Sequence, residues 1–336
     1  MTIPPMDRYS AALKLVEQGN IPEAIISLQS VVEESPSLSV ARNDLGTLLF
    51  ETGELQRAKS ELMIAYNQQP NDPRITENYL EVLLATNSIE EVFPQLESMV
   101  RAVGTNTKLI SRVSEVVNKK METARLKQWD QSIEGVTQKV TDQVLPYLPQ
   151  GGVLVDVGAN CGLFTEQVLR QRDVQAYLFE PVPKYFNYCL DKFQGKSKIV
   201  VENLALAEAP GNLQIFIDHE NLGWNTLVQT KCTPGMTPVE IKAETFDTYA
   251  DRRGIFNIDV IKIDVEGSEF RVLKGMQGTL KRLAKRPVII CEVAWGPIGH
   301  PNWNEEVEAF EWLFSNGYKR VDYNVSGTSD VIFLPS

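Results

Sequence analysis

Five acidic side chains stand where short apolar runs end. Asp156 follows VLV, Glu180 follows AYLF, Asp264 and Glu266 follow VIKI, and Glu292 follows VIIC. A carboxylate at the end of a buried strand can take a proton, hold a hydroxyl or face a cation. Directly after the first acid comes V-G-A-N-C-G. Gly158 and Gly162 lack a Cβ, so a ligand can approach the backbone closely. The helix expected from Leu163 turns its unsatisfied N–H groups toward the same place. The stretch VLVDVGANCG is thus a cofactor-binding turn.

The spacing narrows the cofactor. A dinucleotide fold uses G-x-G-x-x-G to admit a pyrophosphate, whereas this chain has no glycine two residues after Gly158. A carboxylate beside the loop repels pyrophosphate and suits a cation. S-adenosylmethionine carries a sulfonium, an ammonium, a carboxylate and a ribose. Asp156 can serve the cationic end and the helix N-terminus the carboxylate. Glu180, 24 residues after Asp156, can accept from the ribose diol. A nicotinamide-linked oxidoreductase is disfavoured for the same reasons.

These acids need a frame. Val153, Val155 and Val157 alternate in a run too short for a helix, which predicts a buried strand. AYLFEP, KIVVENLAL, DVIKIDVEG and PVIICEV read as further strands, separated by helical stretches near 163–170, 184–193 and 268–283. Ser268 is the expected N-cap of the last of these. LQIFID and PVEIKAETF add extended segments around a loop NLGWNTLVQ, and YKRVDYN with DVIFLP reads as a closing antiparallel pair. Strands alternating with helices imply a mostly parallel sheet covered on both faces.

VDVGANCGLFT, FEPVPKYF, ENLAL, DVIKIDVEGSEFRVLKG and RPVIICEV, in this order, resemble the FkbM-type methyltransferases over about residues 150–335. The resemblance implies a class I, Rossmann-like α/β fold with a mostly parallel seven-stranded sheet. It implies S-adenosylmethionine-dependent methylation, commonly of a hydroxyl on a sugar, glycan or natural product. It carries cofactor contacts onto Asp156, Gly158, Asn160, Gly162 and Glu180, with Asn203 and Ala205 near the adenine. An inactive methyltransferase-like domain serving as an interaction scaffold is the alternative.

An alcohol attacks poorly while protonated, so a nearby base helps. Asp264, Glu266 and Glu292 are the candidates for base or hydroxyl anchor, with His300 in the following Gly/Pro-rich loop able to move a proton near neutral pH. Polar strand ends and a surface histidine are the structural alternatives. Three carboxylates and a histidine also fit a hard divalent ion, but the spacing specifies none, and no metal is expected. Trp224, Asn225 and Trp295 are candidates for acceptor recognition, or for packing alone.

The first hundred residues repeat at a spacing of 34: Gly19 and Gly53, Ala24 and Ala58, Leu28 and Leu62, Pro36 and Pro70. Small residues let paired helices approach, and the prolines end each pair. A weaker third copy carries Leu83, Asn87, Ile89, Val92 and Leu96. This pattern resembles the tetratricopeptide repeat and implies a short solenoid that binds a protein partner or caps the chain. The expected division is 1–104 for the repeats, 105–150 for a helical linker with two amphipathic stretches, and 151–336 for the methyltransferase.

Bulk properties bound the rest. The formal charge of −11 disfavours a nucleic-acid partner. No run of about 18 apolar residues occurs, so no membrane span is expected. Cys161, Cys189, Cys232 and Cys291 show no C-x-x-C pair, which argues against a zinc or disulfide framework and for a reducing cytoplasm. A homo-oligomer is compatible with the sequence.

Overall fold

The computed structural model describes residues 4–293, 299–322 and 329–336. The chain divides into two compact units, Met1–Glu122 and Thr123–Ser336. Residues 123–150, expected as linker, fall with the second.

The first unit is helical. Helices α1 (Pro5–Glu17) with α2 (Ile21–Glu34), and α3 (Ser39–Glu51) with α4 (Leu55–Gln68), form two successive hairpins, followed by α5 (Pro73–Ala85). The small residues at the repeat positions permit this. Ala12, Ala24 and Ala58 are fully buried, and a Cβ on Gly46 would stand 2.6 Å from Leu62 Cγ. The third copy departs from the pattern because Pro94 has no N–H to give. A 3₁₀ segment, Ile89–Gln95, precedes the short α6 (Leu96–Ala102). The two amphipathic stretches predicted for 107–149 are one 38-residue helix, α7 (Thr107–Val144). No proline or capping residue separates them, so helix propagation continues through both. The unit boundary falls within α7.

The second unit is built on a seven-stranded sheet. Its strands are β1 (Val153–Val157), β2 (Gln175–Phe179), β3 (Ile199–Glu202), β8 (Val260–Ile263), β9 (Val288–Val293), β10 (Tyr318–Asp322) and β11 (Ser329–Pro335). Their order is β3-β2-β1-β8-β9-β11-β10, with β11 antiparallel to both neighbours and every other pairing parallel. This is the class I arrangement expected. Strand β1 lies at the point where the order reverses, and there the carboxyl ends of neighbouring strands open a crevice. Helices α8 (Leu163–Leu169) and α9 (Pro183–Lys192) follow β1 and β2. Apolar clusters pack on both faces, one around Phe179, Ile261 and Phe333, the other around Leu154, Leu178 and Ile290. Val140 and Val144 of α7 join the second.

A four-stranded sheet stands beside it, in the order β4 (Ala205–Leu206), β7 (Thr237–Glu244), β5 (Gly211–Ile217), β6 (Asn225–Thr226). KIVVENLAL is therefore shared between sheets: β3 ends at Glu202 and β4 begins at Ala205. The helix expected over 268–283 is two, α11 (Glu269–Gly275) and α12 (Gln277–Arg282), after α10 (Phe246–Arg253). Gly275 presses against the Ala207 carbonyl, where a Cβ would stand 2.1 Å from the oxygen. Ser268 holds the N-cap position of α11 without a capping bond from its side chain. Helix α13 (Trp303–Ser315) precedes β10. No helix among the described residues is long and apolar enough to cross a membrane, and the four cysteines are free thiols.

Candidate active site

The loop after β1 is shaped by contacts only glycine permits. At Gly158, φ is +77° and a Cβ would stand 1.8 Å from the Asp264 carbonyl oxygen. The Gly158 and Ala159 amides donate to Phe179 O at 3.0 and 3.1 Å, drawing the loop over the end of β2. Asn160 follows with φ +49°; its amide donates to Glu180 Oε2 at 2.8 Å and its Nδ2 to Leu222 O at 3.0 Å. Glu180 Oε1 accepts from the Val182 amide at 2.8 Å. Glu180 is 5% exposed, and burial pushes its carboxyl up to about 8 although the two amides favour the charge. Gly162, at φ +72°, opens α8 against Phe193.

Of these residues Gly158, Asn160, Glu180 and Val182, but not Gly162, border a cavity of about 220 Å³ at the carboxyl edge of the sheet. Gly158, Asn160, Glu180, Ala205, Asn225, Asp264, Glu266 and Glu292 all line it. The apolar end is closed by Leu204, Leu206, Ile215 and Ile241. Asp156 is elsewhere. It is fully buried, with Oδ2 accepting from Thr165 Oγ1 at 2.7 Å and Oδ1 3.8 Å from Lys262 Nζ. Its carboxylate faces Thr165 of α8 and Lys262 of β8 and is not among the groups that line the cavity. Asn203 is exposed and donates to Glu180 O and Pro181 O at 3.0 and 2.9 Å, bracing the turn after β2. Trp224 does not line the cavity, and Trp295 lies outside the described residues.

Three acids converge at the polar end. Carboxylate oxygens of Asp264, Glu266 and Glu292 lie within 4.8 Å of one another. Lys262 Nζ is 2.9 Å from Asp264 Oδ2. Burial opposes charge on Asp264, yet the Lys262 ammonium prevails and holds its carboxyl below the usual range. The opposite holds for its neighbours: the Asp264 charge and then burial push Glu292 well above its ordinary value. Burial and then the Asp264 charge push Glu266 up to about 8. The turn bearing Glu266 is itself unusual. Its φ is +54°, a conformation that costs a non-glycine residue about 1–3 kcal/mol and gathers at functional sites. Thr226 Oγ1 donates to its carbonyl at 2.6 Å.

His300 is not on this wall. It is 6% exposed and sits behind the turn, with a ring nitrogen within 4.8 Å of carboxylate oxygens of Glu269 and Glu306. Its Nδ1 accepts from the Asn302 amide at 3.0 Å, which leaves Nε2 as the protonated nitrogen of the neutral ring. Glu269 Oε1 accepts from the Val265 and Gly267 amides at 3.1 and 3.2 Å, clamping the turn from below. Burial raises Glu269 to about 8, with the Glu306 charge second, and raises Glu306 to about 7. Between pH 4.5 and these values the folded protein holds protons on Glu269 and Glu306 that the unfolded chain releases, so the contribution of these two groups to stability is fullest below pH about 4.5 and declines as pH rises toward 8. Glu269→Gln should flatten that decline in thermal melts taken from pH 5 to 8; an unchanged slope would show that Glu269 is not its source.

Two features of the site carried no clear sequence signal. Lys262 interrupts an apolar strand, and a lone cation inside VIKI beside two acids was the available hint. Trp129 and Ile133 of α7 also line the cavity, and nothing in their helical spacing separates a cleft wall from core packing.

The cavity fits S-adenosylmethionine in kind: backbone held open at Gly158, a carboxylate at Glu180 and an apolar end at Leu204–Leu206. Residues 156–320 match the sequence model of the methyltransferase FkbM domain. The chain is 23% identical over 175 residues to the "2-O-methyltransferase NoeI" of Sinorhizobium fredii (strain NBRC 101917 / NGR234), spanning 47% of this chain and 72% of that protein. It is 26% identical over 194 residues to "Methyltransferase sdnD" of Sordaria araneosa, spanning 45% and 70%. Among solved structures, a precorrin-6y C5,15-methyltransferase from Geobacter metallireducens GS-15 aligns with a TM-score of 0.38 at 15% identity, over 59% of this chain and 89% of that one. Residues 156–320 are thus an FkbM-type methyltransferase domain with S-adenosylmethionine as its cofactor.

Proposed function

We propose that the protein methylates a hydroxyl group of a sugar, glycan or natural product, and that its N-terminal helices dock the acceptor or the protein that delivers it. The observation that carries this reading is the convergence of Asp264, Glu266 and Glu292 at the polar end of the cleft. When bound, S-adenosylmethionine supplies a methyl group on an electrophilic sulfonium. The chain's own work is to position the acceptor and to take its proton. Glu266, raised to about 8, is the group best matched to remove a hydroxyl proton near neutral pH. Asp264, kept ionised by Lys262, and Glu292, kept protonated beside it, offer an acceptor and a donor to neighbouring hydroxyls. The acid-rich wall disfavours anionic acceptors and suits neutral polyols. Glu180 and the Gly158 turn would hold the donor, and Asn225 the acceptor side. Four free cysteines accord with a reducing compartment such as the cytoplasm.

The test supplies S-adenosylmethionine with a deuterated methyl group to purified protein and a panel of hydroxylated acceptors. The expected product carries the label as an ether that survives mild alkali. A label lost in alkali would indicate a carboxylate acceptor, and failure of the protein to bind the cofactor by calorimetry would refute the reading altogether.

A further inference from the structure

The matched domain begins at residue 156, yet part of the cleft wall comes from before it. Trp129 and Ile133 of α7 border the same cavity as Gly158, Glu180 and Glu266. The Trp129 ring lies against Gly223, where a Cβ would stand 2.9 Å from Cζ2, so the absence of a side chain at Gly223 is what admits the indole. The polar atoms in this wall are unmatched. Trp129 Nε1 and Asn225 Oδ1 are both buried and have no hydrogen-bond partner among the described residues. A buried N–H left unpaired costs folding free energy, and native structures rarely tolerate it without a reason. Neighbouring polar groups do find partners: Asn160 Nδ2 and Tyr185 Oη both donate to Leu222 O. Trp224 Nε1 and Glu292 Oε2 nearby are also unmatched, but Trp129 Nε1 and Asn225 Oδ1 are an unmatched donor and acceptor, one on α7 and one on β6, that both belong to residues lining the cavity.

Resting on the cofactor reading above, we infer that Trp129 is a cofactor-binding residue, its indole N–H donating to an oxygen of the bound S-adenosylmethionine, with Asn225 Oδ1 receiving a donor of the bound ligands beside it. The oxygen would belong either to the methionyl carboxylate or to the ribose, the two groups that Asn160 and Glu180 would hold on the cofactor reading. The ring also covers the cavity, so loss of the N–H alone is separable from loss of the cover.

The probe is S-adenosylhomocysteine, titrated by calorimetry and by tryptophan emission. Trp129→Phe keeps the ring and removes the donor. Its affinity should fall roughly 10-fold, as for one lost hydrogen bond, and the ligand-induced emission change should largely vanish. Trp312→Phe, on α13 away from the cleft, should keep both. Gly223→Ala leaves every tryptophan in place but displaces the Trp129 ring, and should weaken binding as well; it serves if the phenylalanine variant folds poorly. 5′-Methylthioadenosine, which lacks the amino-acid portion, identifies the oxygen. Equal weakening of both ligands assigns the ribose, and weakening of S-adenosylhomocysteine alone assigns the carboxylate. Wild-type affinity and a persisting emission change in Trp129→Phe would overturn the inference while leaving the cofactor reading intact. If the unaltered protein does not bind S-adenosylhomocysteine, both fall together.

Discussion

Glu266→Gln should lower kcat by about 10²- to 10⁴-fold, the range a positioned general base contributes, while S-adenosylhomocysteine still binds. The amide keeps the shape of the side chain and removes its capacity to take a proton. In the unaltered protein kcat/KM should rise with pH to a plateau above about 8, the value to which burial and the Asp264 charge bring Glu266. Because Glu266 and Glu292 both interact with Asp264, the titration belongs to the cluster, and its midpoint is an apparent value. Asp264→Asn removes the charge that raises both neighbours, so the rising limb should move to lower pH; a shift upward would contradict the assignment. Glu266→Gly is the informative companion. It relieves the +54° backbone and should stabilise the fold by roughly 1 kcal/mol while abolishing turnover. Stability and activity moving in opposite directions at one residue is a result that mere packing at Glu266 does not produce.

Gly158→Ala should have the largest structural effect. Its Cβ would fall 1.8 Å from the Asp264 carbonyl, and neither backbone can yield without parting β1 from β8. We expect a loss of about 4 kcal/mol or more, in the range reserved for core disruption. In a unit of this size that corresponds to a melting temperature lower by roughly 10 °C. Gly195→Ala is the control. It shares a positive φ, +80°, but has nothing within 4 Å of the added carbon, so it isolates backbone strain from collision. If the two variants melt together, the close approach of the strand ends is not what Gly158 provides. Cofactor affinity should fall with Gly158→Ala alone.

The turn and its neighbouring strand ends were legible because strands alternate and acids rarely sit at the end of apolar runs without a task. Gly158, Glu180, Asp264 and Glu292 could be placed on one edge from topology alone, since parallel neighbours end together. Which way each side chain faces was less accessible. Asp156 is one residue from Val157 and two from Gly158, and the pleat turns it into the protein, where Thr165 and Lys262 wait. Glu266 turned back toward Asp264 only because the chain enters a left-handed conformation there, which a non-glycine residue does not advertise. His300 was readable as a loop histidine, but its burial against Glu269 and Glu306 depends on contacts between α11 and the residues before α13, far apart in sequence. Trp129 was hidden for a similar reason. Its helical spacing fits any buried face.

That α7 supplies a wall of the cleft bears on how such domains can be exchanged. A chimera joined just before VLVDVGANCG would inherit the sheet, the glycine turn and the acids, yet leave behind the indole and Ile133 that border the cavity. The natural seam for recombination lies upstream, near Thr123, where the second compact unit begins. Variation in acceptor or cofactor preference can therefore accumulate in a segment that comparisons confined to residues 156–320 never align.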